Sequence, residues 1–342
     1  MTDMPATEDP QPSAAPPVTT CFRHPKRESY IRCTRCERYI CPDCMREAPV
    51  GHQCPECVKE GQQSIRQART VFGGRLITVP VLTYLLIALN VLAYVAELLV
   101  PHLVDRFDNL GLGVMGPDGG LYTVSGGFLP HGFHLVGIAR GDWYRLITSA
   151  FLHQPPTGGR FGITHILFNM YSLWMFGRVV EQQLGRLRFL ALYLLAALGG
   201  SVLAYQLAPT EPAIGASGAI FGLVGGYFLM TRRMRHDPLG GGQQLIYSLV
   251  WLVVSAGITS WQGHLGGLLA GGAVGAAFVF APRNGRVVVQ ALGALAVLAV
   301  LVLVVLAKNS ELASTVPWGD DLDGLGSFGR DGLHALGRAL GR

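Results

Sequence analysis

Long apolar runs recur from residue 80 onward, and they constrain the fold of this chain more than any other feature. Seven such runs lie near 80–100, 163–179, 188–207, 215–231, 244–259, 263–281 and 287–307. An α-helix needs about 20 apolar residues to cross the hydrocarbon of a bilayer. Charged residues are also scarce, at 14% of the chain, where a soluble domain usually has about 25%. We therefore expect an all-α polytopic membrane protein and exclude an ordinary soluble enzyme.

The positions of the arginines predict the orientation of these runs. Arginines precede the first run and follow the second, fourth and sixth, whereas the connections after the third and fifth contain neither Arg nor Lys. The arginines in question are Arg66, Arg69, Arg75, Arg178, Arg186, Arg188, Arg232, Arg233, Arg235, Arg283 and Arg286. Because such residues concentrate on the cytoplasmic side of membranes, we expect a cytoplasmic N-terminus in a cell-membrane protein, with the tail after Lys308 outside.

All 7 cysteines lie in a short segment ahead of the apolar runs. With one histidine they form four pairs of equal spacing, namely Cys21 with His24, Cys33 with Cys36, Cys41 with Cys44, and Cys54 with Cys57. This spacing lets two neighbouring ligands reach one tetrahedral zinc ion, and a reducing compartment disfavours disulfides. We expect two structural zinc ions, the first and third pairs holding one and the second and fourth the other. His52 is a ninth candidate, which could displace Cys54 or Cys57.

The role of this cysteine-rich segment is open from the sequence. A small cap stabilised by metal and a docking site for a cytoplasmic protein partner are both consistent with it. Nucleic-acid binding is not expected, because residues 1–79 carry nearly as many acidic as basic groups and so present little excess positive charge.

Four polar residues in the apolar runs are candidates for chemistry, since polar groups are costly inside a bilayer and often mark function. They are His165 and Asn169 in the second run, Ser217 in the fourth and His264 in the sixth. With the predicted orientation, all four lie at one depth near the outer face. An imidazole that accepts the proton of a serine makes it a nucleophile. His165 and Asn169, four residues apart on one helical face, can both donate to an oxyanion.

Each of these residues also has a simpler interpretation. Small residues such as those around Ser217 are common where helices pack in membranes, and a single buried histidine can bridge two helices. Their coincidence at one depth favours a catalytic site. Because no carboxylate is available at that depth, we expect a dyad of Ser217 and His264 rather than a triad.

These motifs resemble the rhomboid family of intramembrane serine proteases. The resemblance rests on Gly215-Ala216-Ser217-Gly218, on His264 followed by Gly266-Gly267, and on His165-Ile166-Leu167-Phe168-Asn169. Also similar is Trp143-Tyr144-Arg145, which has one residue inserted into the family's Trp-Arg motif and is followed by Thr148 and Phe151-Leu152-His153. The resemblance covers 80–281, although the segment between His153 and His165 is longer than the family usually has. The cysteine-rich segment is outside the family's common core and resembles a B-box-type zinc finger.

The resemblance implies a rhomboid-like six-helix core with a seventh C-terminal helix. It also implies that Ser217 is the nucleophile, that His264 is the general base, and that His165, Asn169 and the Ser217 N–H form the oxyanion hole. Phe221 would take the place of the family's usual tyrosine, stacked on His264. No catalytic cofactor is implied.

The sequence thus predicts six segments and one activity. The segments are a disordered tail at 1–20, a zinc-finger domain at 21–59, a basic linker at 60–79, a six-helix core at 80–281, an extra transmembrane helix at 282–307 and a glycine-rich tail at 308–342. The expected activity is a serine endopeptidase that cleaves transmembrane segments near the outer face. The alternative is a non-proteolytic rhomboid-like protein that binds membrane clients. A transporter is less favoured, because the sequence shows neither an inverted repeat nor an intramembrane carboxylate.

Overall fold

The computed structural model describes residues 19–64, 68–122, 129–156, 161–234 and 236–315. Nearly all of the predicted disordered tail, and the glycine-rich tail after residue 315, lie outside the described residues. The chain divides into two compact units, Met1–Gln67 and Ala68–Arg342. We call them the cysteine-rich unit and the helical unit.

The cysteine-rich unit has little regular structure. Its elements are a single 3₁₀ turn at Pro42–Cys44, an antiparallel hairpin of β1 (Arg46–Glu47) and β2 (His52–Gln53), and the helix α1 (Pro55–Ser64). Its interior consists of the cysteine side chains and Ile40, which is fully buried. So few apolar side chains cannot form a sufficient hydrophobic core in a unit of this size.

The helical unit contains a long helix at each of the seven predicted runs. Its helices are α2 (Val81–Leu99), α3 (Leu103–Phe107), α4 (Arg145–Thr148), α5 (Ile163–Leu184), α6 (Arg186–Leu207), α7 (Ser217–Thr231), α8 (Gly241–Val254), α9 (Trp261–Val279) and α10 (Arg286–Thr315). The predicted all-α polytopic fold is confirmed, with α2 and α5–α9 as the six-helix core and α10 as the seventh long helix. The last helix continues to Thr315, so residues 308–315 extend it rather than belong to a tail.

Three helices of the described chain are individually long and apolar enough to cross a membrane. They are Val81–Leu99, Arg186–Leu207 and Arg286–Leu312. α7 and α8 are apolar but shorter. α5 carries charged residues at its end, and α9 contains glycine, glutamine and histidine. Side chains of α10 such as Val287 and Leu292 are largely exposed, as expected of a surface that faces lipid.

Glycines bring α6, α7 and α9 into backbone contact. A Cβ on Gly267 of α9 would overlap the carbonyl of Gly218 on α7, and a Cβ on Gly275 would be 2.7 Å from the Cα of Gly226. On α6, a Cβ on Gly200 would be 2.7 Å from the Gly263 carbonyl oxygen. Small residues allow such close approach of helices in membranes. The starts of α7 and α9 are thereby held side by side.

The long connection between α2 and α5 is organised around Arg145. Its guanidinium is 1% exposed and lies 2.6 Å from the Asp108 carboxylate and 3.2 Å from that of Asp142. It also donates to the backbone carbonyl oxygens of Asp105 and Asp108. The same connection forms a small antiparallel sheet in the order β4-β3-β5, with β3 at Gly113–Met115, β4 at Leu121–Tyr122 and β5 at His134–Val136. Arg145 of the Trp143-Tyr144-Arg145 motif is therefore a buried residue that holds several parts of this connection together.

Candidate active site and metal-ligand clusters

Ser217 and His264 meet at the adjoining starts of α7 and α9. The His264 Nε2 lies 2.9 Å from the Ser217 Oγ, within hydrogen-bond distance. Ser217 is the first residue of α7, and it follows Gly215, whose φ of +124° is readily adopted only by glycine. His264 lies in the first turn of α9, which begins after the N-cap Ser260, whose side chain accepts from the Gly263 N–H. The two candidate catalytic residues are thus brought together by two helix starts.

The imidazole of His264 is fixed by packing and is 5% exposed. The Phe221 ring lies parallel to it, with ring centroids 4.5 Å apart and planes 2° apart. The Nδ1 of His264 has no hydrogen-bond partner among the described residues. Within the described chain no carboxylate orients this imidazole, and the stacked Phe221 ring holds its plane instead.

His165 and Asn169 lie on the first turns of α5, and His165 lies beside Gly215. The backbone N–H of Gln154 is 3.2 Å from the His165 Nδ1 and donates to it. A neutral His165 therefore carries its proton on Nε2. A Cβ on Gly215 would be 3.0 Å from that Nε2, so the glycine leaves room for the imidazole near Ser217. Asn169 donates one amide hydrogen to the His165 carbonyl oxygen at 2.9 Å, and its second amide hydrogen remains for another acceptor.

A small cavity of about 30 Å³ adjoins Ser217. Its polar lining comes from Asn109, Ser149, Ser201 and Ser260, and the rest of the wall is backbone and small apolar side chains. A cavity needs about 10–15 Å³ of space open to a water-sized probe to hold one water molecule. The cavity therefore has both the size and the hydrogen-bonding groups to hold a water next to the serine.

His153 is a further buried histidine near the candidate oxyanion residues. Its ring centroid is 5.2 Å from that of His165, and neither of its ring nitrogens has a partner among the described residues. Its backbone N–H donates to the Glu97 carboxylate at 3.1 Å. Sequence reasoning missed the roles of Gln154 and Glu97. Both contacts are made through backbone N–H groups, which leave no signal in the residue pattern.

The eight candidate metal ligands form two clusters with the predicted interleaved pairing. One cluster contains Cys21, His24, Cys41 and Cys44, and the other contains Cys33, Cys36, Cys54 and Cys57. Within each cluster the ligand atoms all lie within 4.8 Å of one another. His52 belongs to neither cluster. It lies on β2, where its carbonyl oxygen accepts from the Thr34 N–H at 2.9 Å.

The protonation of these thiols fits a set of donors for a cation. Burial opposes ionisation, but backbone N–H groups that donate to the sulfurs lower the pKa of Cys21 and of Cys33 to about 6. Burial and the neighbouring thiols raise the pKa of Cys44 to about 11 and that of Cys57 to about 12. Each cluster thus contains a thiol that ionises readily beside one that resists a second negative charge. A bound cation would remove that resistance.

Comparison with known proteins agrees with the geometry of the helical unit. Residues 140–282 match the Rhomboid domain family. The chain is 36% identical over 152 residues to the rhomboid protease GluP of Bacillus subtilis, which is 43% of this chain and 28% of GluP. It is 37% identical over 142 residues to the B. subtilis rhomboid-type protein YdcA, which is 40% of this chain and 67% of YdcA. Rhomboid-like protease 1 of Toxoplasma gondii is 32% identical over 147 residues, 40% of this chain and 48% of that protein.

The matched segment contains Ser217, His264, His165 and Asn169 but not the cysteine-rich unit. The chain spans well under two thirds of the length of GluP, whereas it covers two thirds of YdcA at more than 30% identity. The polytopic helical fold and these similarities together show that the chain belongs to the rhomboid family of membrane proteins.

Proposed function

We propose that this protein is an intramembrane serine endopeptidase that uses a dyad of Ser217 and His264. The observation that carries the proposal is the 2.9 Å separation between the Ser217 Oγ and the His264 Nε2, with Phe221 stacked on the imidazole. A serine within hydrogen-bond distance of an oriented imidazole is the arrangement required for nucleophilic catalysis. The similarity to rhomboid proteases supports the same activity.

The chemistry follows from the positions of the side chains. The Ser217 Oγ attacks the carbonyl carbon of the scissile peptide bond while its proton passes to the His264 Nε2. The resulting oxyanion accepts hydrogen bonds from the Ser217 N–H, which has no intrahelical acceptor at the start of α7, and from His165 and Asn169. The imidazolium then protonates the leaving amine, and the C–N bond breaks to leave an acyl-enzyme. His264 then takes a proton from a water molecule, which attacks the acyl carbonyl carbon. The ester bond to the Ser217 Oγ breaks, the imidazolium returns its proton to that oxygen, and the second product leaves as a carboxylic acid.

The substrates we propose are transmembrane segments of other proteins. A peptide bond within an α-helix has its carbonyl engaged in the helical ladder, so the segment must unwind before attack. Segments that contain glycine or other weak helix formers should be cleaved fastest. From the arginine distribution, we infer that the N-terminus is cytoplasmic and that cleavage occurs near the outer face.

We also propose that the cysteine-rich unit is a structural zinc domain with two ions. Four ligands of the Cys₃His or Cys₄ type are typical of structural zinc sites, which have no open position for catalysis. The interleaved clusters support two such sites. A cytoplasmic protein partner for this unit is part of the proposal, and a nucleic acid is not.

A non-proteolytic role in client binding is the other candidate. It is not favoured, because such a role does not require a serine and an imidazole at bonding distance. Only the protease cleaves a substrate, so an assay of cleavage distinguishes the two roles.

The test compares the purified full-length protein with Ser217→Ala in proteoliposomes that contain a model transmembrane substrate. We expect cleavage and fluorophosphonate labelling by the wild type and the loss of both in Ser217→Ala. Ser248→Ala is the matched control, since Ser248 lies on α8 and does not line the cavity beside Ser217. Labelling that persists in Ser217→Ala would remove this serine as the nucleophile, and a wild type that neither cleaves nor reacts would favour client binding.

A further inference from the structure

A second cavity in the helical unit is lined by arginines and lies where α6 and α10 begin. It has a volume of about 340 Å³. Its side-chain lining consists of Arg69, Arg188, Arg283, Arg286, Val287 and Val288. None of the described residues that line it is acidic. The described ion pairs also include none of these four arginines. The cavity therefore gathers four positive charges without a carboxylate.

Three distant segments of the chain supply these arginines. Arg69 precedes α2, and Arg188 lies in the first turn of α6. Arg286 is the first residue of α10, and Arg283 lies just before it. Gly73 allows two of the guanidinium groups to come together. A Cβ on Gly73 would be 3.0 Å from the Cδ of Arg286 and 3.7 Å from an Nη of Arg188. Both arginine side chains therefore pack against the backbone of Gly73, where a larger residue would crowd them.

Neutral hydrogen bonds fix this arrangement. The Arg188 Nε donates to the Oε1 of Gln290 at 2.6 Å, and Gln290, which is 3% exposed, donates to the backbone oxygens of Phe72 and Phe278 at 3.1 and 2.8 Å. Arg286 donates to the Val71 carbonyl oxygen at 2.9 Å. Because these partners carry no charge, they orient the guanidinium groups without neutralising them. The mutual repulsion of the arginines would be relieved by a bound anion.

We propose that this cavity binds the phosphate group of an anionic phospholipid. Guanidinium groups bind phosphate oxygens in a bidentate manner, and the N-termini of α6 and α10 add partial positive charge. The surface beside the cavity favours a lipid as the source of the phosphate. Val287 and Val288 are 62% and 60% exposed, and the apolar face of α10 continues from them through Leu292 and Leu295. A headgroup phosphate in the cavity would leave its acyl chains along this face.

The test measures lipid retention by the purified full-length protein in detergent that contains phosphatidylglycerol and phosphatidylcholine in equal amounts. Native mass spectrometry counts each lipid bound. We expect the wild type to retain phosphatidylglycerol preferentially. Since a basic residue near a membrane surface contributes about 1 kcal/mol to the binding of anionic lipid, each arginine removed should lower the retention about fivefold. Arg69→Gln/Arg283→Gln is the first variant, because both side chains are exposed and their loss should leave the fold intact.

The matched control is Arg232→Gln/Arg233→Gln, which removes the same charge from arginines that stack on Phe228 and Phe280. We expect this control to retain phosphatidylglycerol like the wild type, and circular dichroism should show that both variants are folded. Equal loss in the control, or a wild type that does not prefer phosphatidylglycerol, would overturn the proposal. Displacement of the lipid by millimolar inorganic phosphate would identify free phosphate as the source and overturn the lipid assignment, whereas resistance to phosphate supports it.

Discussion

The interiors of the two units are built from different chemical groups. In the cysteine-rich unit the interior is made of thiols, and Cys54 and Cys41 are as fully buried as the single large apolar residue Ile40. In the helical unit the closest contacts are between backbones, as where Gly267 meets Gly218. Apolar side chains of α10 lie on the outside instead. The cysteine-rich unit and the helical unit are therefore held together by different kinds of groups.

This difference predicts how the stability of each unit responds when one stabilising group is removed. Ligands that share one ion act together, because a metal site with one donor removed loses much of its affinity. Backbone contacts between helices are spread over many positions, so the removal of one changes the packing locally. The following changes test this contrast, beginning with the one of largest expected effect.

Removal of metal should unfold the cysteine-rich unit and leave the helical unit folded. Structural zinc contributes about 10–16 kcal/mol in zinc-finger peptides, far more than a domain of this size gains from packing. Cys33→Ser, which removes a buried member of one cluster, should act like chelation on that cluster. The measurement is hydrogen exchange of the full-length protein, with loss of protection expected in 21–57 alone.

His52→Asn is the control for the ligand assignment, since His52 belongs to neither cluster. We expect this variant to keep two zinc ions per chain by metal analysis. Acid should reproduce the effect of chelation, because thiols hold a metal ion in their deprotonated form and protons displace the ion as the pH falls. A zinc content of one in His52→Asn would show that the histidine is a ligand.

Arg145→Gln should have the next largest effect, and it tests whether the helical unit also depends on one polar hub. The change leaves Asp108, whose side chain is 2% exposed, without its 2.6 Å partner. Breaking a buried ion pair in this way typically costs about 3–5 kcal/mol. A lower midpoint of thermal unfolding in detergent is the expected result. Arg106→Gln, at an exposed arginine of the same connection, should leave the midpoint unchanged, and equal shifts in the two variants would argue against a specific role of the pair.

The same difference between the units explains which parts of the fold and of the candidate site could be predicted from the sequence. The spacing of Cys21, His24, Cys41 and Cys44 reports a local geometry that any tetrahedral metal site requires. The seven long helices lie at the seven apolar runs, and three of them are long and apolar enough on their own to cross a bilayer. For Ser217 and His264, motif spacing and predicted depth together indicated that they would meet, and the Phe221 stacking was implied by the resemblance.

Other contacts could not be predicted, because they join groups distant in sequence through atoms that every residue has. The Gln154 N–H that selects the tautomer of His165 is one example. Another is Gln290 of α10, whose side chain donates to the carbonyl oxygen of Phe72, a residue 218 positions away in the sequence. The continuation of α10 to Thr315 was missed for a different reason. Its last residues are polar, and apolar length alone ends the predicted helix at 307.

Gly271→Ala should destabilise the helical unit moderately, and its neighbour provides an internal control. A Cβ on Gly271 would overlap the Cα of Gly222 on α7, whereas a Cβ on Gly272 meets nothing within 4 Å. Overpacking of this kind costs about 1–3 kcal/mol. Gly272→Ala should instead be neutral or stabilising by up to about 1 kcal/mol, because alanine favours the helix. Thermal unfolding of both variants in detergent checks the prediction, and equal effects would mean that backbone contact does not hold α7 and α9 together.

Ser260→Ala should have the smallest effect. It tests whether the stability of the helical unit is spread over many small contributions. The Ser260 side chain accepts from the Gly263 N–H at 3.4 Å and caps α9 one turn before His264. Loss of an N-cap typically costs about 1 kcal/mol. A small decrease in the midpoint of thermal unfolding is therefore expected, and Ser260→Asn should restore it because asparagine also caps helices. A single atom lost here weakens one helix end, whereas one sulfur lost from a metal cluster should unfold its unit. If Ser260→Ala unfolded the helical unit completely, the stability of this unit would depend on a few groups, as we expect for the cysteine-rich unit. The proposed difference between the two units would then be wrong.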